Sequence, residues 1–298
     1  MKYAVIGGAG FIGSHLVREL LHLKHSITVI DSLTKDKKEN LKDVLNIIEF
    51  LDIDIRDNSS LEKSLKFFDG VYHLASLENW QESFSKQTEY FEVNVEGTEN
   101  ILKLALKHGF KVIYASSLSV YGNPKRNPVS EDHEKNPITP YGITKLKAEN
   151  LLENYAKLGV ETIGLRYFNV YGKGKIGPNK GVIPDFLENI AKNEPLVIYG
   201  SGSQIRDFIF VGDVIKATCL AMESKMKSGF INIGSGIGTS ISDLADLMIS
   251  LSRKDLTTVS IPSQHDEFDI WADISKAQNS LGWFPETTLK KDLQKILL

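Results

Sequence analysis

The opening stretch KYAVIGGAGFIGSHLVREL joins a short apolar run to a helical pattern through four glycines in seven residues. A tight strand-to-helix turn needs small residues, so that the backbone can bend sharply and approach another group closely. The helix then opens with unpaired N–H groups and the positive end of its dipole, a ready anion site. These constraints impose a β-α unit on the first residues and a parallel sheet as the frame for the rest of the domain. An acid completes the pattern: Asp31 ends the next apolar run, SITVID, eighteen residues after Gly13. A carboxylate there accepts hydrogen bonds from an adenosine ribose and repels a 2′-phosphate, so NAD is expected rather than NADP. Lys35, Lys37 and Lys38 argue the other way but read better as part of a solvated helix or loop.

Short apolar runs alternate with helical patterns through the first half, as in a parallel sheet covered by helices. Strand candidates are 2–7, 26–31, 46–52, 70–75, 111–116 and 161–167, with SHLVRELLHL and TENILKLALKHG among the helical stretches between them. Gly109 ends the latter as a C-cap. From about residue 170 the texture changes to a Gly/Pro/Lys loop and less regular alternation. A second lobe is expected there, with the substrate in the cleft between the two. A second glycine cluster, NIGSGIGTS, lacks a following strand with a terminal acid and reads as a turn that caps the next helix.

Hydrophobic content of 42% and charged content of 24% are those of a soluble globular chain. The net charge of −3 gives no reason to expect a nucleic acid or an anionic membrane as partner. No apolar run is long enough to span a bilayer, and the N-terminus enters a strand without a signal-peptide pattern, so a cytoplasmic location is expected. Cys219, the only cysteine, excludes an intramolecular disulfide and a multi-thiolate metal site; its setting, KATCLAMES, reads as a helix face that buries it. No metal is expected.

Three Tyr/Lys pairs stand four residues apart: Tyr121/Lys125, Tyr141/Lys145 and Tyr171/Lys175. A proline interrupts the first and glycines the third, so neither holds a regular helical turn. Tyr141 heads a run of good helix formers, with Thr139 as N-cap and Pro140 at the first helical position. Tyr141 and Lys145 then share one helix face. A neighbouring ammonium favours the phenolate, as a tyrosine base requires. Ser116, Ser117 and Ser119 of SSLSVYG stand at the end of a central parallel strand, where ligands sit in open α/β sheets.

The motifs GGAGFIGSH, DIRD, HLAS, ASSLSVYG, PYGITK, LRYFNVYG, IYGSGSQIRDF and ADISKA run through nearly the whole chain. Together they resemble extended short-chain dehydrogenase/reductases of the NAD-dependent epimerase/dehydratase group, nearest in motifs to the UDP-hexose 4-epimerases. The resemblance implies an α/β, Rossmann-type doubly wound parallel sheet over 1–168 and a smaller substrate lobe over 169–298, partly interleaved with it. It implies Tyr141 as catalytic base, Lys145 as its pKa-lowering partner and nicotinamide-ribose ligand, and Ser117 as the serine that bonds the sugar hydroxyl. NAD contacts are implied at Gly7, Gly10, Phe11, Ile12, Gly13, Asp31, Asp54, Ile55, Leu74, Ala75, Ser76, Tyr141, Lys145 and Tyr167. Asn94 matches the family asparagine near the cofactor, and as a lone Asn reads equally as a helix cap. Substrate contacts are implied at Ser117, Tyr141, Asn169, Val182 and Arg206, the last as the diphosphate clamp.

Family 4,6-dehydratases carry Asp-Glu after the serine, and the decarboxylases tend to carry Glu at the second of these positions. This chain has Leu118 and Ser119, which supply neither acid nor base. Hydride chemistry without elimination remains: a UDP-hexose 4-epimerase acting through a 4-keto sugar, with a dehydrogenase of a small hydroxylated substrate as the alternative. A non-catalytic NAD(H)-binding regulator is the third reading, against which the retained tyrosine and lysine stand. UDP-sugar enzymes of the family usually place a second arginine near the position of Ser263, and this chain has none after Arg253. Glu78 and Trp80 of LENW are unusual beside a cofactor site and read as shaping the sugar pocket, whereas His265 and Asp266 read as a solvated turn. By family analogy the expected assembly is a homodimer built on the helices after Asn94 and around Tyr141. Leu102, Ala105, Leu151 and Tyr155 fit such a seam and fit the core equally well.

Overall fold

The computed structural model describes residues 1–32, 37–175, 181–263 and 268–297; Lys35, His265 and Asp266 lie outside them. Among the described residues twelve strands appear in chain order: β1 Lys2–Ile6, β2 Ser26–Asp31, β3 Glu49–Asp52, β4 Gly70–His73, β5 Lys111–Ser117, β6 Thr162–Tyr167, β7 Asn169–Tyr171, β8 Leu196–Tyr199, β9 Ile205–Phe210, β10 Ser228–Ile233, β11 Gly238–Ser240 and β12 Thr258–Ile261. Seven form one sheet in the order β10-β6-β5-β4-β1-β2-β3, and every pairing in it is parallel. This is a Rossmann-type sheet, and its strands read as continuous apolar runs because helices cover both faces.

On one face, Leu16, Val17 and Leu20 of the helix Phe11–His22 meet Val214 and Ala217 of the helix Val211–Glu223 over β1 and β2. On the other, the helices Gly97–His108 and Pro140–Lys157 pack over β4 and β5 through Ile101, Leu102, Ala105, Ala148 and Leu152. Leu102 and Ala105 are thus core residues that face the sheet, not a seam open to a second subunit. Leu151 and Tyr155 are partly buried against the same cluster. Gly109 ends the helix Gly97–His108 in the left-handed conformation.

The smaller lobe holds the three-stranded sheet β11-β9-β7, the parallel pair β12-β8, and the helices Val182–Lys192, Ile241–Ser252 and Leu289–Leu297 around Phe186, Leu244 and Leu293. The chain does not stay there. The helix Val211–Glu223 and β10 return to the large sheet, with β10 pairing from Ser228↔Thr162 to Ile233↔Tyr167. The glycine cluster after β10 leads into the helix Ile241–Ser252, which Ser240 caps through the Asp243 N–H.

One strand begins later than its apolar run. β3, the edge strand, starts at Glu49 because its pairing with β2 begins at Thr28↔Glu49, and Ile47 is left 60% exposed. No helix among the described residues is long and apolar enough to cross a membrane.

Candidate active site

The sheet order reverses at β1, with β2 on one side and β4 on the other, so a crevice opens outside their carboxyl ends. The glycine turn fills its floor. Gly7 takes φ +81°, and a Cβ there would lie 2.5 Å from the Ala75 nitrogen. A Cβ on Gly13 would lie 2.2 Å from the Gly7 carbonyl oxygen. Both positions demand glycine for close backbone packing. Gly10 caps the helix Phe11–His22 without a side-chain hydrogen bond, so this N-terminus presents its own N–H groups to the crevice.

Asp31, at the end of β2, accepts a hydrogen bond from the Ala9 N–H at 3.0 Å and so ties the turn to the sheet. Leu74, Ala75 and Ser76 lie across the crevice: the Leu74 N–H donates to Ile6, and Ala75 lies against Gly7. A tight glycine turn, a helix end with free N–H groups and an acid at the next strand fit a dinucleotide. Asp31→Ala is expected to lower NAD affinity and loosen the turn; titration calorimetry that finds unchanged affinity would remove the ribose role. Of the lysines that argued for NADP, Lys38 lies over the Phe50 ring at 5.1 Å.

Asp54 and Ile55, after β3, are held differently from each other. Arg56 grips the Asp54 carboxylate at 2.6 Å and holds its pKa below the usual range. Ile55 is buried against Gly97, where a Cβ would strike its side chain.

The Tyr141 helix, Pro140–Lys157, starts as its sequence demands. Thr139 accepts from the Gly142 N–H, and Pro140 occupies the first turn. Ser83 also accepts from the Tyr141 N–H at 3.1 Å. The Lys145 ammonium lies 5.8 Å from the Tyr141 ring centroid and 4.9 Å from that of Tyr114, and it donates to the Ala115 carbonyl at 2.8 Å. Ser117 ends β5 beside Tyr141, near enough to act on its phenol, and its hydroxyl donates to that of Ser119 at 3.1 Å. Ser117, Tyr141 and Lys145 are therefore brought together. The other two tyrosines are not: the Tyr121 hydroxyl bonds Asn232 and Arg166, and that of Tyr171 bonds Asp292.

Electrostatics depart from the simple expectation of a lowered tyrosine. Burial pushes the Tyr141 phenol well above its ordinary value, the neighbouring Ser117 hydroxyl pulls it down, and the charge of Glu78 pushes it up. Among the protein's own groups burial wins, so Tyr141 is a neutral phenol. The Lys145 ammonium is pushed down to about 8 by burial, against the opposing charges of Glu78 and Glu149. Glu78 thus faces the tyrosine and the lysine from the loop after β4.

Asn94 neither caps a helix end nor faces the cleft with its amide. Its Nδ2 donates to Leu77 and to Thr144, and its Oδ1 accepts from the Leu77 N–H. It lies in a π-type turn, Glu92–Glu96, and clamps the loop after β4 to the Tyr141 helix. The Tyr167 phenol is likewise turned into the core, where it pairs with Thr218 at 2.8 Å.

In the smaller lobe, Asn169 donates to the Asp207 carbonyl at 3.0 Å. The Arg206 guanidinium lies 4.7 Å from the Phe268 ring centroid and donates to the Phe268 and Ile205 carbonyls. Val182 opens its helix after Gly181, which takes φ +95°. Lys175, set aside in the sequence because glycines interrupt its pair, comes close to the glycine turn. Its ammonium donates to Val170, lies 5.8 Å from the Phe11 ring and is pushed down by burial. Its place in YGKGK, directly after LRYFNVYG, gave no sign of that contact.

Known proteins share this construction. A UDP-N-acetyl-alpha-D-glucosaminuronate decarboxylase of Bacillus cytotoxicus is 37% identical over 265 residues, covering 87% of this chain and 82% of the relative. A UDP-glucose 4-epimerase of Lactobacillus helveticus is 35% identical over 313 residues, 96% of this chain and 92% of the relative. The crystal structure of UDP-glucose 4-epimerase from Thermotoga maritima with UDP-glucose superposes with a TM-score of 0.93 at 34% identity, covering 99% of this chain and 96% of that one. The model of the NAD dependent epimerase/dehydratase family matches residues 3–234, from β1 through the end of β10. The chain belongs to that family of enzymes, with NAD as its cofactor.

Proposed function

We propose that the protein is a UDP-hexose 4-epimerase. The observation that carries the reading is the meeting of Ser117, Tyr141 and Lys145 at the end of β5, with Leu118 and Ser119 where an eliminating enzyme needs an acid and a base. The two UDP-glucose 4-epimerases above support it.

Gly7, Gly10, Phe11, Ile12 and Gly13 would hold the NAD pyrophosphate, Asp31 the adenosine ribose, and Asp54 and Ile55 the adenine. Leu74, Ala75, Ser76 and the backbone of Tyr167 would line the nicotinamide side. Bound there, NAD would supply a reversible hydride acceptor for sugar C4. Tyr141 takes the O4 proton as its phenolate, the form that the positive charge of a bound oxidised nicotinamide would favour over the neutral phenol set by burial alone, while Ser117 holds that oxygen by a hydrogen bond. Lys145 supplies the positive charge that favours the phenolate. After the keto sugar turns over in the cleft, Tyr141 returns the proton to O4. Asn169, Val182 and Arg206 would hold the nucleotide diphosphate in place meanwhile.

Lys145 assists only while protonated. Raising the pH through about 8 removes its charge, so turnover is expected to fall above that value and persist below it. A pH–rate profile flat to pH 10 would deny Lys145 this part.

The deciding experiment is proton NMR of the protein with UDP-galactose, then with other UDP-, GDP- and dTDP-sugars and UDP-glucuronate, while NADH absorbance is followed. A C4 epimer without stoichiometric NADH is expected. Accumulating NADH would make the protein a dehydrogenase. A pentose product from UDP-glucuronate would make it a decarboxylase and point to Glu78 as an acid–base group. A homodimer is part of the proposal: Leu106 and Ile143 stay 46% and 43% exposed on the helices concerned. Sedimentation at a single subunit's mass would refute it.

A further inference from the structure

Three consecutive residues at the end of β5 meet one stripe of the Tyr141 helix, and two of them are bonded to it. Ser117 lies beside Tyr141, the Ala115 carbonyl accepts from Lys145, and the Ser116 hydroxyl donates to Glu149 at 2.6 Å. Residues 141, 145 and 149 follow one another by helical turns on the same face. The third rung is fixed from behind. Arg166 of β6 donates from Nε and Nη2 to the two Glu149 oxygens at 2.9 and 2.8 Å.

Glu149 and Arg166 are 0% and 1% exposed. The Arg166 Nη1 also donates to the Tyr121 hydroxyl at 2.8 Å and to the Glu131 carbonyl at 2.9 Å. Tyr121 in turn donates to Asn232 of β10 at 2.6 Å, and the guanidinium lies 5.0 Å from both the Tyr121 and the Phe230 ring centroids. One fully satisfied network thus joins β5, β6, β10 and the Tyr141 helix. Apolar residues of similar volume hold such a place as well or better than a buried ion pair does, so stability alone is a poor reason for it. What an apolar pair cannot do is fix a register or balance a charge.

We propose that the Glu149–Arg166 pair is a positioning element: it sets the register of the Tyr141 helix on β5 and the charge balance beneath Lys145. The inference rests on the roles of Tyr141 and Lys145 proposed above. The groups facing Lys145 are Tyr141 and Glu149 from its own helix, Tyr114 from β5, His73 from β4 and Glu78 from the loop after β4. Burial holds His73 neutral, with a pKa of about 3, so the charges that bear on Lys145 are those of Glu149 and Glu78.

The test is an NMR titration of Lys145 in full-length protein labelled at the lysine ε-carbons, with its signal assigned by its loss in Lys145→Arg. It needs no substrate. Glu149→Gln removes the charge at constant shape and leaves Arg166 uncompensated, and is expected to lower the Lys145 titration by about one pH unit. Arg166→Lys keeps the charge but loses the fork. It is expected to leave that titration in place while turnover of UDP-galactose falls about 10- to 100-fold at unchanged KM. A Lys145 titration unmoved in Glu149→Gln, or full turnover in Arg166→Lys, overturns the proposal.

Should either variant fail to fold, Ser116→Ala removes only the hydroxyl on Glu149; a several-fold loss of turnover at unchanged KM is expected, and wild-type turnover overturns the proposal. Tyr141→Phe separates the two levels. Full turnover in that variant defeats the reading of the site itself, whereas an inactive Tyr141→Phe beside an unmoved Lys145 defeats the positioning role alone.

Discussion

Tyr141→Phe is expected to lose turnover by about 10²–10⁴-fold, the usual worth of a positioned acid–base group. The substitution deletes one hydroxyl and keeps the ring. The helix start depends on Thr139, Pro140 and the Ser83 bond to the Tyr141 N–H, all of which survive it. Lys145 keeps its bond to Ala115. The melting temperature and NAD affinity should therefore stay near those of the wild type while chemistry stops. Differential scanning calorimetry, NAD titration and the NMR epimer assay, run on one preparation, check all three. Turnover at the wild-type rate would remove Tyr141 as the base.

Gly7→Ala should act on the frame instead. The left-handed φ of +81° and a Cβ placed 2.5 Å from the Ala75 nitrogen and 2.7 Å from its Cα leave no soft side chain to yield. Backbone strain and overpacking together cost about 2–5 kcal/mol. For a chain of this size that lowers the melting temperature by roughly 5–15 °C. Gly10→Ala is the control. Its φ is −69°, and the added Cβ would lie 3.2 Å from the Gly7 oxygen, so less stability is at stake than at Gly7. Its expected effect is a loss of NAD affinity of about tenfold, through the backbone's approach to the pyrophosphate. If Gly7→Ala melts with the wild type, the packing argument for this turn fails.

The parts of the site carried by local signals were legible in the sequence. A glycine turn, a strand-ending Asp31 and a helix announced by Thr139 and Pro140 each depend on neighbours a few residues away. What escaped depends on partners brought together only by folding. Asn94 looked like a cofactor ligand or a cap because nothing local reveals Leu77 and Thr144 as its partners. Tyr167 belongs to a recognisable motif, yet its phenol pairs with Thr218, fifty-one residues on. Glu149 stands one turn past Lys145, and its charge partner Arg166 comes from the following strand. Periodicity showed a stripe containing Leu102 and Ala105 without saying whether sheet or subunit covered it; the sheet does.

The return of β10 to the large sheet also governs how the protein can be divided. A fragment ending at residue 168 would keep the glycine turn, Asp31, Ser117, Tyr141 and Lys145, and on paper would pass for a self-contained cofactor module. It would lack the outermost strand that pairs with all six residues of β6. It would also lose the helix Val211–Glu223, whose Val214 and Ala217 cover one face of the sheet. A bare row of N–H and C=O groups beside an uncovered apolar face is a template for self-association. Insertions and tags therefore belong at the exposed loops of the smaller lobe, and truncations belong nowhere before the end of β10.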